Sequence, residues 1–420
     1  MLNRLKKSWW FYILSAGVIL RLILMPITLH PDLWGHSSAA YFFAYQGKLN
    51  VYEQLLSLPP THPLVKNIGV ADVFIYPPLT YFTLGVFRVL VKPFSDPNFV
   101  PWMWSNLASI HSYSALYWHL FLFKFPYLFI DIGAAFLLAA LFNDAKKKRL
   151  AFLLWIFNPL TIYATFMVGQ IDILPTFFSL LCLYLIKKRK IRWAMVALGI
   201  GGSYKLFPLL FILPVAFILE KDFVRRIELI IIGFLPFLLI SAPFLGSSAY
   251  RQMVLFSPKS QKMLFMIWSV SGAEGVYPFV FILSIIYFYA YFLRDRLRVG
   301  FIFLAILLLI FSVTHYHPQW FLWVSPFLIW EMVRSDFKYW VLILIFMLSW
   351  LVITAFFEPS LSYGLFNPAW PSLEKARGAP EILGKYIDVF QIKSLVRSVF
   401  AGASLFYVVS LFREPVLKRA

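Results

Sequence analysis

The sequence predicts an all-α polytopic membrane protein, a bundle of about 12–14 transmembrane helices, and three observations carry that prediction. Of the 420 residues, 61% are hydrophobic and 20% aromatic, while only 14% are charged; a soluble domain carries roughly 25% charge. Apolar runs of span length, about 17–25 residues, recur along the whole chain. Basic clusters separate them: Lys146–Arg149, Lys187–Arg192, Lys221–Arg226, Arg294–Arg298, Arg334–Lys338 and Arg413–Arg419. That spacing is the pattern of cytoplasmic loops, so the net charge of +19 does not describe a nucleic-acid face. The one cysteine, Cys182 in an apolar run, excludes a disulfide framework and a Cys-based metal site.

The first 30 residues have a basic head and an apolar stretch too long for a signal-peptide core, with no small-residue cleavage site behind it. Trp9–Leu29 is therefore expected to remain as the first span. Further clear spans are 125–142, 150–168, 172–187, 227–244, 276–293, 299–314, 318–333, 339–357 and 394–412. Parity settles two ambiguous regions. Lys146–Arg149 stay cytoplasmic only if 76–92 and 101–122 both cross or neither does, and the stretch from Pro97 to Phe123, free of charge, favours both. Residues 193–219 lie between two basic clusters and must cross an even number of times, so a break near Tyr204-Lys205 divides them into two short spans. The count becomes about fourteen, with both termini cytoplasmic. The outward loops are then 30–75, expected to hold short amphipathic helices, the turns near 168–172 and 205, and 245–275, 315–320 and 358–393. The chain 1–420 is one integral membrane domain.

Most of the unusual polar residues fall in those loops. Asp32 follows the first span among Trp34, Tyr41, Phe42 and Phe43, and a carboxylate beside low-dielectric surroundings is expected to have its pKa raised toward values useful for proton abstraction. It is also placed to N-cap a helix over 33–46. In "IYPPLTYF", Pro77 and Pro78 suit the first turn of a helix and leave Tyr76 at the interface. In "VGQID", Gln170 and Asp172 sit in a tight turn, where a carboxylate at membrane depth needs a partner or a task. Arg21 and Asp131, each well inside a span, suit one another as a charge pair. Lys205, in "GGSYKLFPL", lies at a broken-helix tip and offers a compact positive charge for a phosphate; its alternative is snorkelling. His315, His317 and Gln319 in "HYHPQW" have no nearby carboxylate or Cys, so they suit hydrogen bonding better than metal binding. Arg251, Lys259 and Lys262 sit in an outward loop against the positive-inside trend, which an anionic lipid headgroup would explain.

Taken together, "HPDLWGH" after the first span, "YPPLTYF", and "GQID" followed by "SYKLFPL" make the chain resemble the GT-C superfamily of polyprenyl-phosphate-sugar-dependent glycosyltransferases. "YPPLT" and the Tyr-Lys turn are similar to dolichyl-phosphate-glucose glucosyltransferases, and "GQxD" and "NVYE" to prokaryotic polyprenyl-phosphate mannosyltransferases. Residues 1–220 carry the likeness, and 221–420 form a variable transmembrane module. The resemblance implies an inverting hexosyltransferase that moves a sugar from a polyprenyl-phosphate donor to a glycan or lipid-linked acceptor on the exofacial side of a membrane, most simply a prokaryotic plasma membrane. It makes Asp32 the general base and puts Lys205, Arg251 and His317 on the donor phosphate. Trp34, His36, Tyr76, Gln170, Asp172, His315 and Gln319 would contact sugar or acceptor. No outward loop has an Asp-x-Asp pair, so no metal or other cofactor is expected. The alternative is a secondary transporter or flippase of a lipid-linked glycan, but no inverted repeat is visible and the polar residues gather at one face, not at the midplane.

Overall fold

The computed structural model describes residues 2–69, 73–293 and 296–413. Among the described residues, regular structure is helical apart from one antiparallel pair of two-residue strands, Trp268–Ser269 with Gly275–Val276. Arg294, Lys418 and Arg419 of the basic clusters lie outside the described residues. Five helices are long and apolar enough to cross a membrane: Trp9–Ile27, Leu116–Ala140, Ala145–Met167, Phe223–Phe244 and Val389–Arg413. Six shorter apolar ones join them: Ile173–Lys187, Ile191–Gly202, Phe207–Leu219, Pro278–Phe292, Val299–Val313 and Trp340–Ala355. The chain is thus an all-α polytopic membrane protein.

A helix apolar on every side belongs in the centre of a bundle, and Val299–Val313 is that helix: each residue from Val299 to Phe311 is buried. It packs on Pro278–Leu293 and Val389–Arg413, and its Phe303 stacks on Phe211 at 3.9 Å.

Three expectations are corrected. Residues 101–122 do not form a span. Phe99–Ser105 gives way to a 3₁₀ turn, Leu107–Ser112, and a new helix starts at Leu116 and runs to Ala140. The interruption is local chemistry. The Asn106 amide donates to the Trp102 carbonyl at 2.8 Å and the Ser112 hydroxyl to the Ser109 carbonyl at 2.8 Å, and such side chains compete with helical bonding. The same parity then removes Pro78–Val91 from the crossing set, and the expected count falls from about fourteen to about twelve. The 318–333 segment is bent, a 3₁₀ stretch Pro318–Trp323 followed by Ser325–Arg334. The first loop does hold short helices, Asp32–Gln46, Val51–Leu56 and Pro63–Ile68, but the first is not amphipathic. Leu33 to Ala40 are all buried, and the helix packs on Pro78–Val91.

The break in 193–219 forms where the sequence places it, between Ile191–Gly202 and Phe207–Leu219. At about 1.5 Å per residue, each half falls well short of a 30 Å hydrocarbon core, which leaves the intervening turn inside the protein. A Cβ on Gly202 would come within 2.2 Å of Leu209, so glycine is what lets the two halves close on each other.

Two buried cations tie the helices together near the site. Arg21 Nε meets Asp131 Oδ2 at 2.7 Å, its Nη1 donates to the Gly17 and Ile156 carbonyls at 2.9 and 2.8 Å, and Trp155 Nε1 donates to Asp131 Oδ1 at 2.8 Å. The expected charge pair therefore forms. Lys124, fully buried, donates to the carbonyls of Met25 (3.0 Å), Thr28 (2.5 Å) and Met167 (3.1 Å) and to the Thr28 hydroxyl (3.1 Å). Removing one member of a buried ion pair strands the other, at a cost of about 3–5 kcal/mol. Arg21→Met should lower stability by that amount in detergent-solubilised protein followed by thermal unfolding, and an unchanged melting curve would show that the pair holds nothing together.

Candidate active site

Asp32, Gln170 and Lys205 come from three separate parts of the chain, and each is aimed by a local feature. Asp32 is the first residue of the Asp32–Gln46 helix; Pro31 occupies the cap position and no side-chain cap bond is made, so the capping role is not taken. The helix ending at Met167 loosens into a π-helical stretch, Ile162–Met167, and Gly169 then turns with φ +80°. That left-handed conformation suits glycine, and it turns Gln170 and Asp172 toward the interior. Lys205 lies in the break between the two half-helices.

Asp32 and Lys205 border a cavity of about 390 Å³ lined by Asp32, His36, Tyr76, Lys205, Lys262, His317, Gln319, Trp320 and Trp323 among others, and Gln170 lies buried behind Asp32. Asp32 is 42% exposed there. The Gln170 amide donates to its Oδ2, and the Tyr76 hydroxyl reaches Gln170 Oε1 at 3.4 Å. Tyr76 is set by its own backbone, whose carbonyl accepts from the Tyr52 hydroxyl at 2.6 Å.

The electrostatics differ from the expectation in direction. Burial pushes the Asp32 carboxyl up, but nearby positive charge, from His30, His36 and His317 as they protonate in acid and from Lys205, outweighs it and holds the group below the ordinary 3.8. Asp32 is therefore a carboxylate throughout the neutral range. His30 is not an ion-pair partner, because its Nδ1 accepts the Asp32 backbone N–H at 3.2 Å and burial lowers its pKa; the neutral ring keeps its proton on Nε2. Burial also pushes His36 and His317 down to about 4. Both are neutral rings at pH 7, able to donate and accept but carrying no charge. His36 is buried with neither ring nitrogen bonded and packs beside Tyr76 at 5.3 Å.

Lys205 is not a free cation. Its ammonium, 13% exposed, meets the fully buried Asp172 Oδ1 at 2.7 Å, and the same oxygen accepts from Trp323 Nε1. Tyr76, Trp320 and Trp323 surround it with ring centroids 5.3, 5.1 and 4.9 Å away, a cation–π cage. Three donors on an ammonium and one carboxylate oxygen leave two N–H groups unassigned. Lys262 Nζ also lies near Trp320, 5.3 Å from its centroid.

Five expected contacts are absent. Gln170 and Asp172, expected to contact sugar or acceptor, are buried and do not line the cavity; their side chains are taken up by Asp32 and Lys205. Trp34 is buried in the core and does not line the cavity, because Asp32 and Trp34 fall on different faces of their helix. Arg251 donates to the Leu245 carbonyl at 2.6 Å, away from the cavity. His315 packs against Phe357 and His317 at 6.0 and 5.9 Å, behind the lining residues. Trp320, Trp323 and Lys262 were overlooked as lining residues. The i, i+3 spacing in "WFLW" was the available signal: the two rings stack at 5.0 Å.

The site thus pairs a deprotonated carboxylate with lysines across one aromatic-walled hollow, an arrangement suited to taking a hydroxyl proton beside a leaving anion. No curated protein and no solved structure matches the chain. Residues 74–316 match glycosyltransferase family 87, a stretch that includes Tyr76, Gln170, Asp172 and Lys205 and begins beyond Asp32. Because it covers more than half of the 420 residues, the chain belongs to glycosyltransferase family 87, a membrane-embedded transferase of sugars.

Proposed function

We propose that this glycosyltransferase is of the GT-C type and transfers a hexose, with inversion, from a polyprenyl-phosphate carrier to a glycan or lipid-linked acceptor. The observation that carries the proposal is the single cavity onto which Asp32, Lys205 and Lys262 all open. Asp32 takes the proton of an acceptor hydroxyl. The freed oxygen attacks the anomeric carbon, the bond from that carbon to the phosphate oxygen breaks, and its electron pair leaves with the polyprenyl phosphate. A phosphate is a good enough leaving group to need cations and donors and no acid. Lys205 offers its two remaining N–H groups and Lys262 its charge, while the neutral His317 donates a hydrogen bond.

Gln170 fixes the Asp32 carboxylate from one side and leaves its other oxygen for the acceptor. Tyr76, His36 and Gln319 supply polar contacts to the sugar, and the stacked Trp320 and Trp323 rings give it a flat apolar wall. Asp172 acts through Lys205. The basic clusters put both termini on the cytoplasmic side and the cavity on the exofacial one. The proposed transfer uses no metal, the charge of a single phosphate being balanced by Lys205 and Lys262.

Asp32→Asn keeps the shape and removes the base. It should cost about 10²–10⁴-fold in kcat with donor affinity preserved; near-normal turnover by the purified variant would remove Asp32 from the chemistry. The pH profile follows from the sign of the shift. A carboxyl held below 3.8 is fully ionised above that value and is lost as a base only as pH falls through it, so kcat/KM should be level from about pH 5 to 7 on the acid side. An acid limb near pH 6.5 that disappears in Asp32→Asn would contradict the depressed value. Transfer should continue in excess chelator, and metal-reversible inhibition would refute the metal-free mechanism.

A further inference from the structure

The loop that leads into the helix Pro278–Leu293 has two ends of different character. At one end Lys259, Ser260, Lys262 and Met263 line the cavity. Beyond them Leu264, Phe265, Met266, Ile267, Trp268 and Val270 are all exposed, Phe265 at 60% and Val270 at 69%. So dense a run of exposed apolar side chains is not what a water-facing loop carries. The run is also closed on itself as a hairpin. Trp268 pairs with Val276 and Ser269 with Gly275. The Val270 and Ser271 N–H groups both donate to the Glu274 carbonyl, at 2.9 and 3.1 Å, and the Glu274 N–H donates to the Ser271 hydroxyl at 3.1 Å. Backbone groups that bond one another in this way lose little when water is withdrawn.

The helix that follows identifies the medium around the hairpin. Pro278–Leu293 contains no charged residue and divides by burial into two faces. Phe279, Leu283, Ile286 and Ala290 are buried, while Val280, Phe281, Ile285, Phe288 and Phe292 are exposed. Spacings of three and four residues keep each set on its own side. A helix that is apolar on its exposed side as well as its buried one is a membrane span, and the exposed side meets lipid. The hairpin continues that side. The Trp268 ring stands edge-on to Phe281 in the first turn of the helix, with centroids 6.0 Å apart, and the exposed Val276 and Tyr277 join the two. Trp and Tyr favour the boundary between hydrocarbon and water. Arg251, Lys259 and Lys262 outnumber the loop's one acid, Glu274, a balance that anionic headgroups attract.

We propose that the hairpin over 264–277 is a membrane-inserted element whose partner is the lipid leaflet itself. Phe265, Ile267, Trp268 and Val270 lie in that leaflet at the depth of the first turn of Pro278–Leu293, with Glu274 among the headgroups. Met263 lines the cavity and Phe265 is two positions further on, so an inserted hairpin also holds the 259–263 wall of the cavity at headgroup level. The insertion does not depend on the donor or the reaction proposed for Asp32.

The test uses the full-length protein in nanodiscs of phosphatidylcholine and phosphatidylglycerol, with a nitroxide attached at one introduced thiol at a time. Phe265→Cys and Val270→Cys report on the hairpin, Phe281→Cys and Phe288→Cys on the helix serve as a depth ruler, and Lys190→Cys, at an exposed position between two helices, is the aqueous reference. Wild type, whose one thiol at Cys182 is buried, gives the background. The reading is the collision rate with oxygen, which concentrates in hydrocarbon, divided by that with a water-soluble nickel chelate. Both hairpin positions should give ratios severalfold above Lys190→Cys, close to Phe281→Cys and below Phe288→Cys. A ratio at either hairpin position no higher than at Lys190→Cys would overturn the insertion. Low collision with both reagents would overturn it too, because a protein surface would then cover the hairpin. Phe281→Cys as accessible to nickel as Lys190→Cys would remove the lipid-facing stripe from which the insertion is argued.

Discussion

The Lys124 ammonium donates to oxygens of Met25 and Thr28 at the end of the first helix and of Met167 at the start of the 168–172 turn, and the active end of the molecule depends on those bonds. In a medium without water an ammonium needs every donor used, and helix-end carbonyls need partners too. One group meets both needs. Four residues past Thr28 the chain reaches Asp32, and three past Met167 it reaches Gln170. A staple between the two backbones therefore sets how the Gln170 amide meets the Asp32 carboxylate. The Gly169 Cβ position lies 3.3 Å from Lys124 Cε, so the lysine stem also determines how closely the turn can approach.

The cavity's charges follow the same logic with the opposite emphasis. Lys205 is neutralised from behind by Asp172 and enclosed by aromatic rings, which keeps a cation at membrane depth with its counter-charge outside the hollow. The histidines around Asp32 are uncharged at neutral pH, so the carboxylate faces the hollow as the principal negative charge, with lysines across from it. In the proposed reaction an arriving phosphate would meet a Lys205 whose cost of burial is already offset by Asp172, and a neutral hydroxyl would meet an ionised base. A depressed carboxyl is a weaker base than a raised one but stays in the ionised form at neutral pH, and a departing phosphate would supply the remaining drive.

Several of these features were legible in the chain. The break at Tyr204-Lys205 follows from parity and from Gly201, Gly202 and Pro208. The Arg21–Asp131 pair follows from two opposite charges each too deep to remain unpaired. Asp32, Gln170, Asp172 and Lys205 were identifiable as polar residues that lipid does not explain; Asp32 and Lys205 line one cavity, and Gln170 and Asp172 support them from behind. The failures share a cause. Residues 101–122 have span composition, yet three side chains able to bond their own backbone break the run. Trp34 lies two positions from Asp32, and on a helix two positions turn about 200°, to the opposite face. Whether Lys205 is free or paired depends on Asp172, 33 residues away.

The sequence by itself determined that this is a helical membrane protein, where its charges sit along the chain and which of them must be paired or used, because hydropathy and the cost of a buried charge are properties of local composition. Tertiary structure alone decided which charge meets which and which aromatic rings face the hollow. Those outcomes turn on the direction of each side chain and on contacts between residues far apart in the chain, and neither is encoded in any short window of residues.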